Sequence, residues 1–504
     1  MKTFFKKLLT MLLALITSFS CFACAGGGGD EFDPTDPTTL DVYLWSSGNG
    51  KEYMEAILNA FKAKNPDVNI NFTPSSSVEG ADMYQDADNA TTDIYFTTMS
   101  NYMAHKEYFE PLNGVLDMEV DGTTVGAKLG ADTITGVTAS DNNIYALPWS
   151  NSVTGFVYNA TVFEQKGFKL PKTTNQLIDL CGDIASEELK PFIHYAEYWN
   201  YPLLAWMAQY AGVSEFNKYW KGVYTDNGVE KVNDISLFRD NVAKKVALEV
   251  LPDLLSPQGY TVVGTNNLSH TTAQTKFLAG EAVMTPSGSW MENEMKNSTA
   301  KGTFKMMKYP VISALGTKLG ITEDQLVALV AYVDGDADAT QTAYAEGAGV
   351  QHVERVREAR NIVYSEKLQF HAIIPKNSPA KETAKKFLAF YYSDEALAIA
   401  ESVSGMILPA TYSNGTTRKN PQNDTAFVKS CSDIVELKGK TVERNYGVPI
   451  FYNTDIQMFW YKDAVRMFTY ISGGGKVYTY DEYMTEENNY WNSEWNNIIA
   501  DAGI

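Results

Sequence analysis

The sequence predicts an α/β fold of two lobes, with the chain crossing between them. Three observations lead there. The chain has 504 residues, too many for one compact hydrophobic core, and chains of this size divide into lobes or domains. Residues 40–72 read strand, helix, strand, a unit that implies a parallel sheet. Residues 144–154, IYALPWSNSVT, run from an apolar start through Pro148 and Trp149 into a polar stretch, Ser150 to Thr154. A rigid Pro-Trp element followed by a polar segment is what a chain needs where it passes between lobes.

The chain begins with a targeting segment. Lys2, Lys6 and Lys7 give a positive start, and Leu8 to Ile16 is an apolar run too short to span a membrane. The following SCFAC resembles a lipoprotein signal cleavage site, with Ala23 directly before Cys24. Cys24 is then the lipidated residue. Cys21, where that motif usually has an aliphatic side chain, is the competing position. Residues 1–23 read as the leader and 24–39 as a flexible tether, because Gly, Pro, Asp and Thr cannot build a core. No later segment is apolar over enough residues to cross a bilayer.

The net charge is −20, and loss of the three leader lysines brings the body to −23 (−20 minus 3). That balance argues against nucleic-acid partners, which need clustered Lys and Arg. With Cys24 lipidated, only Cys181 and Cys431 remain as possible thiols beyond the leader. Two distant cysteines are no disulfide framework, and Cys181, inside the apolar-periodic LIDLCGDI, reads as a free buried thiol.

Along the body, LDVYLW (40–45) alternates as a strand, and 51–64 places Tyr53, Met54, Ile57, Leu58 and Phe61 at helical spacing before Asn65-Pro66 stops it. In a parallel sheet, ligands bind beyond the carboxyl ends of strands, where Trp45 and Ser46 stand. Residues 93–98 form a further strand in which Asp93 reads as structural. The run 191–212 is dense in aromatics. Trp206 and Tyr210, four apart, read as core, and the helix-entry aromatics Tyr198, Trp199 and Tyr201 as site candidates. Residues 312–370 read as a mainly helical insertion. The spacing of Asp334, Asp336 and Asp338 suggests a calcium loop, but Ala339 replaces the required Gly and Ala345 the bidentate Glu, leaving an exposed acidic turn. An amphipathic helix has Ala384, Phe387, Leu388 and Tyr391 inward, Ser393 caps the next helix, and the tail closes in a helix carrying Trp491 and Trp495.

Four stretches in order, among them 144–179, TTAQTKFLAGEAVMTPSGSWMENEMK (271–296) and 370–410, resemble the extracellular solute-binding proteins of ABC importers, in particular their carbohydrate-binding family 1 branch. The resemblance implies a periplasmic-binding-protein-like fold, each lobe a sheet flanked by helices and the hinge made of several chain crossings, with lobes at 40–151 plus 371–405 and at 152–370 plus 406–504. It implies ligand contacts at Thr97, Thr98 and Asn101, in or after the strand from Asp93, and sugar stacking by Tyr198 or Trp199 and by Trp290. Trp149 falls at the cleft, Ser150 to Ser152 at the hinge, and Asn151 and Met406, on two crossings, complete the expected set. The implied partners are a carbohydrate, the importer's permease subunits and, through the lipid, the extracellular face of the cell membrane, with the protein acting as a monomer.

No enzyme signature accompanies these features. The five histidines have no metal-ligand spacing, and there is no nucleophile elbow, P-loop or dinucleotide fingerprint, so no cofactor is expected. Two alternatives are a secreted glycan-active enzyme, which needs two facing carboxylates ~5–10 Å apart, and the same fold holding a polyamine or peptide, for which several cleft carboxylates would favour the cation.

Overall fold

The computed structural model describes residues 38–76, 92–98, 102–255, 259–365, 367–419, 421–436, 441–443, 449–452 and 480–504. The leader, Cys24, nearly all of the tether and Asn101 lie outside the described residues. The strands that position the site are β1 (Thr39–Trp45), β2 (Asn69–Ser75), β3 (Ile94–Thr98), β4 (Leu147–Pro148), β5 (Thr154–Asn159), β6 (Met284–Gly288), β7 (Phe304–Met307) and β8 (Phe370–Ile373). The helices used below are α1 (Glu52–Lys64), α2 (Asn200–Ala211), α3 (Val242–Leu255), α4 (Met291–Glu294), α5 (Lys381–Tyr391), α6 (Asp394–Ser404) and α7 (Tyr480–Ala502).

The first lobe is a five-stranded sheet in the order β2-β1-β3-β8-β4. β1 runs parallel to both neighbours, from Thr39 opposite Asn69 to Trp45 opposite Ser75, and with Val42 opposite Ile94. The βαβ pattern forces this: α1 buries Tyr53, Met54, Ile57, Leu58 and Phe61, and the Asn65 side chain ends it on the Phe61 carbonyl at 2.9 Å. β8 then enters antiparallel to β3, Phe370 opposite Thr98. Asp93 is structural. Its carboxylate accepts from the Asp41 N–H at 2.8 Å and the Ser378 hydroxyl at 2.6 Å, tying β1 to the turn before α5.

The second lobe has an antiparallel sheet, β6-β5-β7. All six residues of the central strand β5 are buried. Gly155 is fixed by packing, because a Cβ there would stand 2.5 Å from the Met307 carbonyl oxygen. Two large cores separate the lobes. One gathers residues from Leu40 to Trp149 and from Phe370 to Tyr412, and the other centres on Phe156, Trp199, Trp206 and Trp491. Met406, Leu408, Ala410 and Tyr412 belong to the first core, so the chain stays with that lobe past residue 405.

The crossings lie side by side. The Asn151 N–H donates to the Ile407 carbonyl at 3.1 Å, and Val153 bridges Ser365. Ser150 and Ser152 are buried, and the Asn151 side chain accepts from the Ser365 hydroxyl at 2.7 Å and the Ser152 N–H at 2.8 Å. The segment is polar because three adjacent chains there must satisfy one another inside the protein.

Among the described residues of 312–370 stand four α-helices, Ala314–Leu319, Glu323–Asp334, Ala339–Gly347 and Val350–Arg360. The acidic turn between the second and third is consumed locally. Asp334 pairs with Arg360 at 2.8 Å, and Asp338 caps Ala339–Gly347 by accepting from the Gln341 N–H. Cys181 and Cys431 are free and buried. Among the described residues, no helix is long and apolar enough to cross a membrane.

Candidate functional site

β1 and β3 end at Trp45 and Thr98, facing the crossing at 151–152 and the turn after β6. A cavity of about 330 Å³ opens there. The first lobe contributes Trp45, Ser47, Gly48, Asn49, Thr98 and Phe370. The second contributes Tyr198, Tyr201, His270, Ser289, Trp290 and Glu294, with Asn151 and Ser152 from the crossing between them. A larger cavity, about 430 Å³, lies on the other face of α4, lined by Leu278, Met291, Met295, Phe304 and Phe427. It borders neither the ends of the parallel strands nor the crossings, so the smaller one is the candidate.

The two half-buried tryptophans are built in different ways. Trp45 is the last residue of β1 and stacks on Phe370 (6.2 Å between centroids, 23° between planes). Trp290 follows β6 and folds back over Gly288, whose imagined Cβ would lie 2.0 Å from the indole, so only glycine permits that pose. Tyr198 and Tyr201 meet the Trp290 ring edge-on at 5.7 and 5.8 Å. The result is an aromatic corner on one lobe facing a stacked pair on the other.

Four expected contacts sit elsewhere. Trp149 is fully buried in the first core, donating its indole N–H to the Thr97 carbonyl at 2.8 Å and packing edge-on against Phe96 and Phe370. Thr97 is fully buried, because alternation along β3 turns Thr98 rather than Thr97 toward the cavity. Trp199 is fully buried against Phe156 and Phe192. The 3₁₀ turn Ala196–Trp199 sends adjacent side chains about 120° apart, so Tyr198 takes the cavity wall. Met406 packs into the first core, its carbonyl accepting from Arg418. Ser46 is also a correction. Its hydroxyl and N–H are both spent on the Ser75 carbonyl, at 3.1 and 2.8 Å, and the residues after it line the cavity.

Tyr201, one of the helix-entry aromatics, lines the cavity, and residue reasoning missed Phe370, His270 and Glu294. Glu294 was detectable, since it lies four residues after Trp290 and shares its side of the helical turn, the Glu294 N–H bonding the Trp290 carbonyl at 3.0 Å. His270, brought in from the start of another helix, left no such signal. Its Nε2 stands 3.5 Å from Glu294 Oε1, and that hydrogen bond holds the imidazole above its ordinary pKa. Among the described residues no lysine or arginine lines the cavity, and no group of His, Cys, Asp and Glu gathers to hold a metal ion. The site therefore offers aromatic faces, hydroxyl and amide groups, and one carboxylate.

The sequence profile of a family described as bacterial extracellular solute-binding proteins matches residues 45–398. A "multiple sugar-binding protein" of Streptococcus mutans is 27% identical over 171 residues, covering 32% of this chain and 38% of that relative's length. The whole fold matches RafE in complex with raffinose (TM-score 0.57, 14% identity, 90% of this chain and 99% of that one). It matches a probable secreted solute-binding lipoprotein from Streptomyces coelicolor (0.60, 14%, 91% and 99%). It also matches the maltose–maltodextrin-binding protein of Alicyclobacillus acidocaldarius (0.56, 15%, 90% and 100%). At such identities these structures speak for the two-lobed fold alone. The profile spans most of the chain, and the protein belongs to the family of bacterial extracellular solute-binding proteins.

Proposed function

We propose that this protein captures a carbohydrate, an oligosaccharide, between its lobes and delivers it to the permease of an ABC importer. It works as a monomer held at the extracellular face of the cell membrane by a lipid on Cys24. The observation that carries the reading is the pairing of Trp45 and Trp290 from opposite lobes on one cavity. Sugar rings present apolar C–H faces that pack on indole, while their hydroxyls need the nearby polar groups. Closure about the crossings would bring the two faces onto the ligand. A solute-binding family and sugar-binding relatives support the ligand class. Binding without turnover is the further part of the proposal. Glycoside hydrolysis uses two facing carboxylates, and Glu294 is the single carboxylate lining the cavity among the described residues.

The test is calorimetry and thermal shift with neutral oligosaccharides, polyamines and short peptides. Ligand at about 100 times its Kd adds ~2.7 kcal/mol to folded stability. Trp290→Ala removes an aromatic surface worth roughly 2 kcal/mol, about thirtyfold in Kd. A shift with polyamines alone would overturn the ligand class, and unchanged sugar affinity in Trp290→Ala would overturn the site.

A further inference from the structure

The cavity holds two polar atoms that the protein itself leaves unpaired. Glu294 Oε2 and the Ser152 hydroxyl are both buried and have no hydrogen-bond partner among the described residues. Only 13% of the Glu294 side chain is exposed, and its other oxygen faces His270. A buried carboxylate oxygen without a donor is costly. The nearest cation on the same segment, Lys296, does not relieve it, because Lys296 lies outside the cavity lining and pairs with Glu52 at 3.3 Å.

We propose that Glu294 determines ligand specificity: its Oε2 accepts hydrogen bonds from the hydroxyls of a bound neutral sugar and rejects sugars that carry a carboxylate or phosphate. The proposal rests on the carbohydrate reading above and deepens it. Trp290 and Glu294 leave one helical turn together, so a sugar ring stacked on the indole holds its rim hydroxyls within the reach of the carboxylate. Hydrogen bonds to an ionised acceptor are about twice as strong as neutral ones. An acidic sugar would instead set like charges together in a site whose described lining has no lysine or arginine and whose one basic side chain, His270, is already engaged by Glu294 Oε1. Ser152, on the crossing, serves the same ligand from the hinge side.

The experiment titrates the full chain with raffinose, maltotriose, xylotriose, chitotriose, trigalacturonic acid and spermidine. The wild-type protein is expected to bind a neutral trisaccharide and to show at least a hundredfold weaker affinity for trigalacturonic acid. Glu294→Gln, equal in size, should weaken the neutral ligand at least tenfold and narrow the neutral-to-acidic ratio at least tenfold. Should that variant fail to fold, Glu294→Asp, which keeps the charge and shortens the reach, is expected to weaken the neutral ligand and keep the rejection of the acid. Neutral affinity within twofold of wild type in the variant, with Trp290→Ala still weakening binding about thirtyfold, overturns the role of Glu294 and leaves the carbohydrate reading standing. Binding of spermidine alone, or of nothing in the panel, overturns both.

Discussion

At the residue scale the aromatic side chains divide by the geometry immediately around them. His270 supplies a titratable readout of the same corner. Its ring faces Glu294 and Tyr195, with the charge of Glu197 also acting on it, and the Glu294 hydrogen bond is the largest cause of its raised pKa. A histidine whose pKa is raised by folding stabilises the protein while both states are protonated, below the ordinary value of ~6.5, and that contribution is lost as pH rises through the folded value. His270→Gln should therefore be least stable relative to wild type near pH 5, with the gap closing above neutrality. Urea unfolding of both proteins across pH 5–8 measures it, and a constant gap would show that the pair carries no charge linkage. Trp45 and Trp290 were legible because Trp45 ends a strand and Trp290 follows one, each beside a glycine-containing turn. Trp149 and Trp199 were not, since nothing local states which way a residue faces at a crossing or around a 3₁₀ turn. Glu294 had the i, i+4 signal, whereas the approach of His270 is purely tertiary.

At the element scale, the turn after β1 docks on α4 and so joins the lobes beside the cavity. Asn293 Nδ2 donates to the Gly48 carbonyl at 2.7 Å, Asn49 Nδ2 donates to the Ser150 hydroxyl at 3.0 Å, and Lys296 pairs with Glu52. These are not equal. The Lys296 and Glu52 side chains are about half exposed, where a pair contributes little. The Asn293 bond is partly buried, and a hydrogen bond of that kind contributes about 1 kcal/mol. If the contact belongs to the closed clamp, Asn293→Ala should speed ligand release about fivefold, and Lys296→Ala should change it less than twofold. Stopped-flow tryptophan fluorescence measures both, and equal rates in all three proteins would show that this contact does not restrain opening. Helices and strands were readable from periodicity and caps, such as Ser393, whose hydroxyl accepts from the Ala396 N–H. The docking of one element on another was not, because Asn293 and Gly48 bear no shared pattern in sequence.

At the scale of the whole molecule, long returns of the chain set the architecture. β8 enters the first sheet after the second lobe has been built, and α7 comes back at the end to close the second core. Trp491 stacks on Phe238 at 4.6 Å and 12°, which accounts for the aromatic-rich tail read from the sequence. The fastening beneath it was not readable. Lys244 of α3 and Glu487 of α7 form an ion pair with only 1% of each side chain exposed. The Lys244 ammonium stands 5.3 Å from the Trp491 ring centre, and the Trp491 indole donates to Glu487 at 3.2 Å. Two charges taken so far from water gain little net stability together, yet either one alone is left without compensation. Lys244→Met should thus cost ~3–5 kcal/mol, and Glu487→Met, which strands the ammonium instead, should cost about as much. The double variant Lys244→Met with Glu487→Met should recover most of the loss, because an apolar pair of similar volume replaces the ions and removes the Glu487 Oε2 that now lacks a partner among the described residues. Denaturant midpoints of the four proteins close the cycle. Strict additivity would show that Lys244 and Glu487 stabilise the body independently, and that α7 is held by its tryptophans alone.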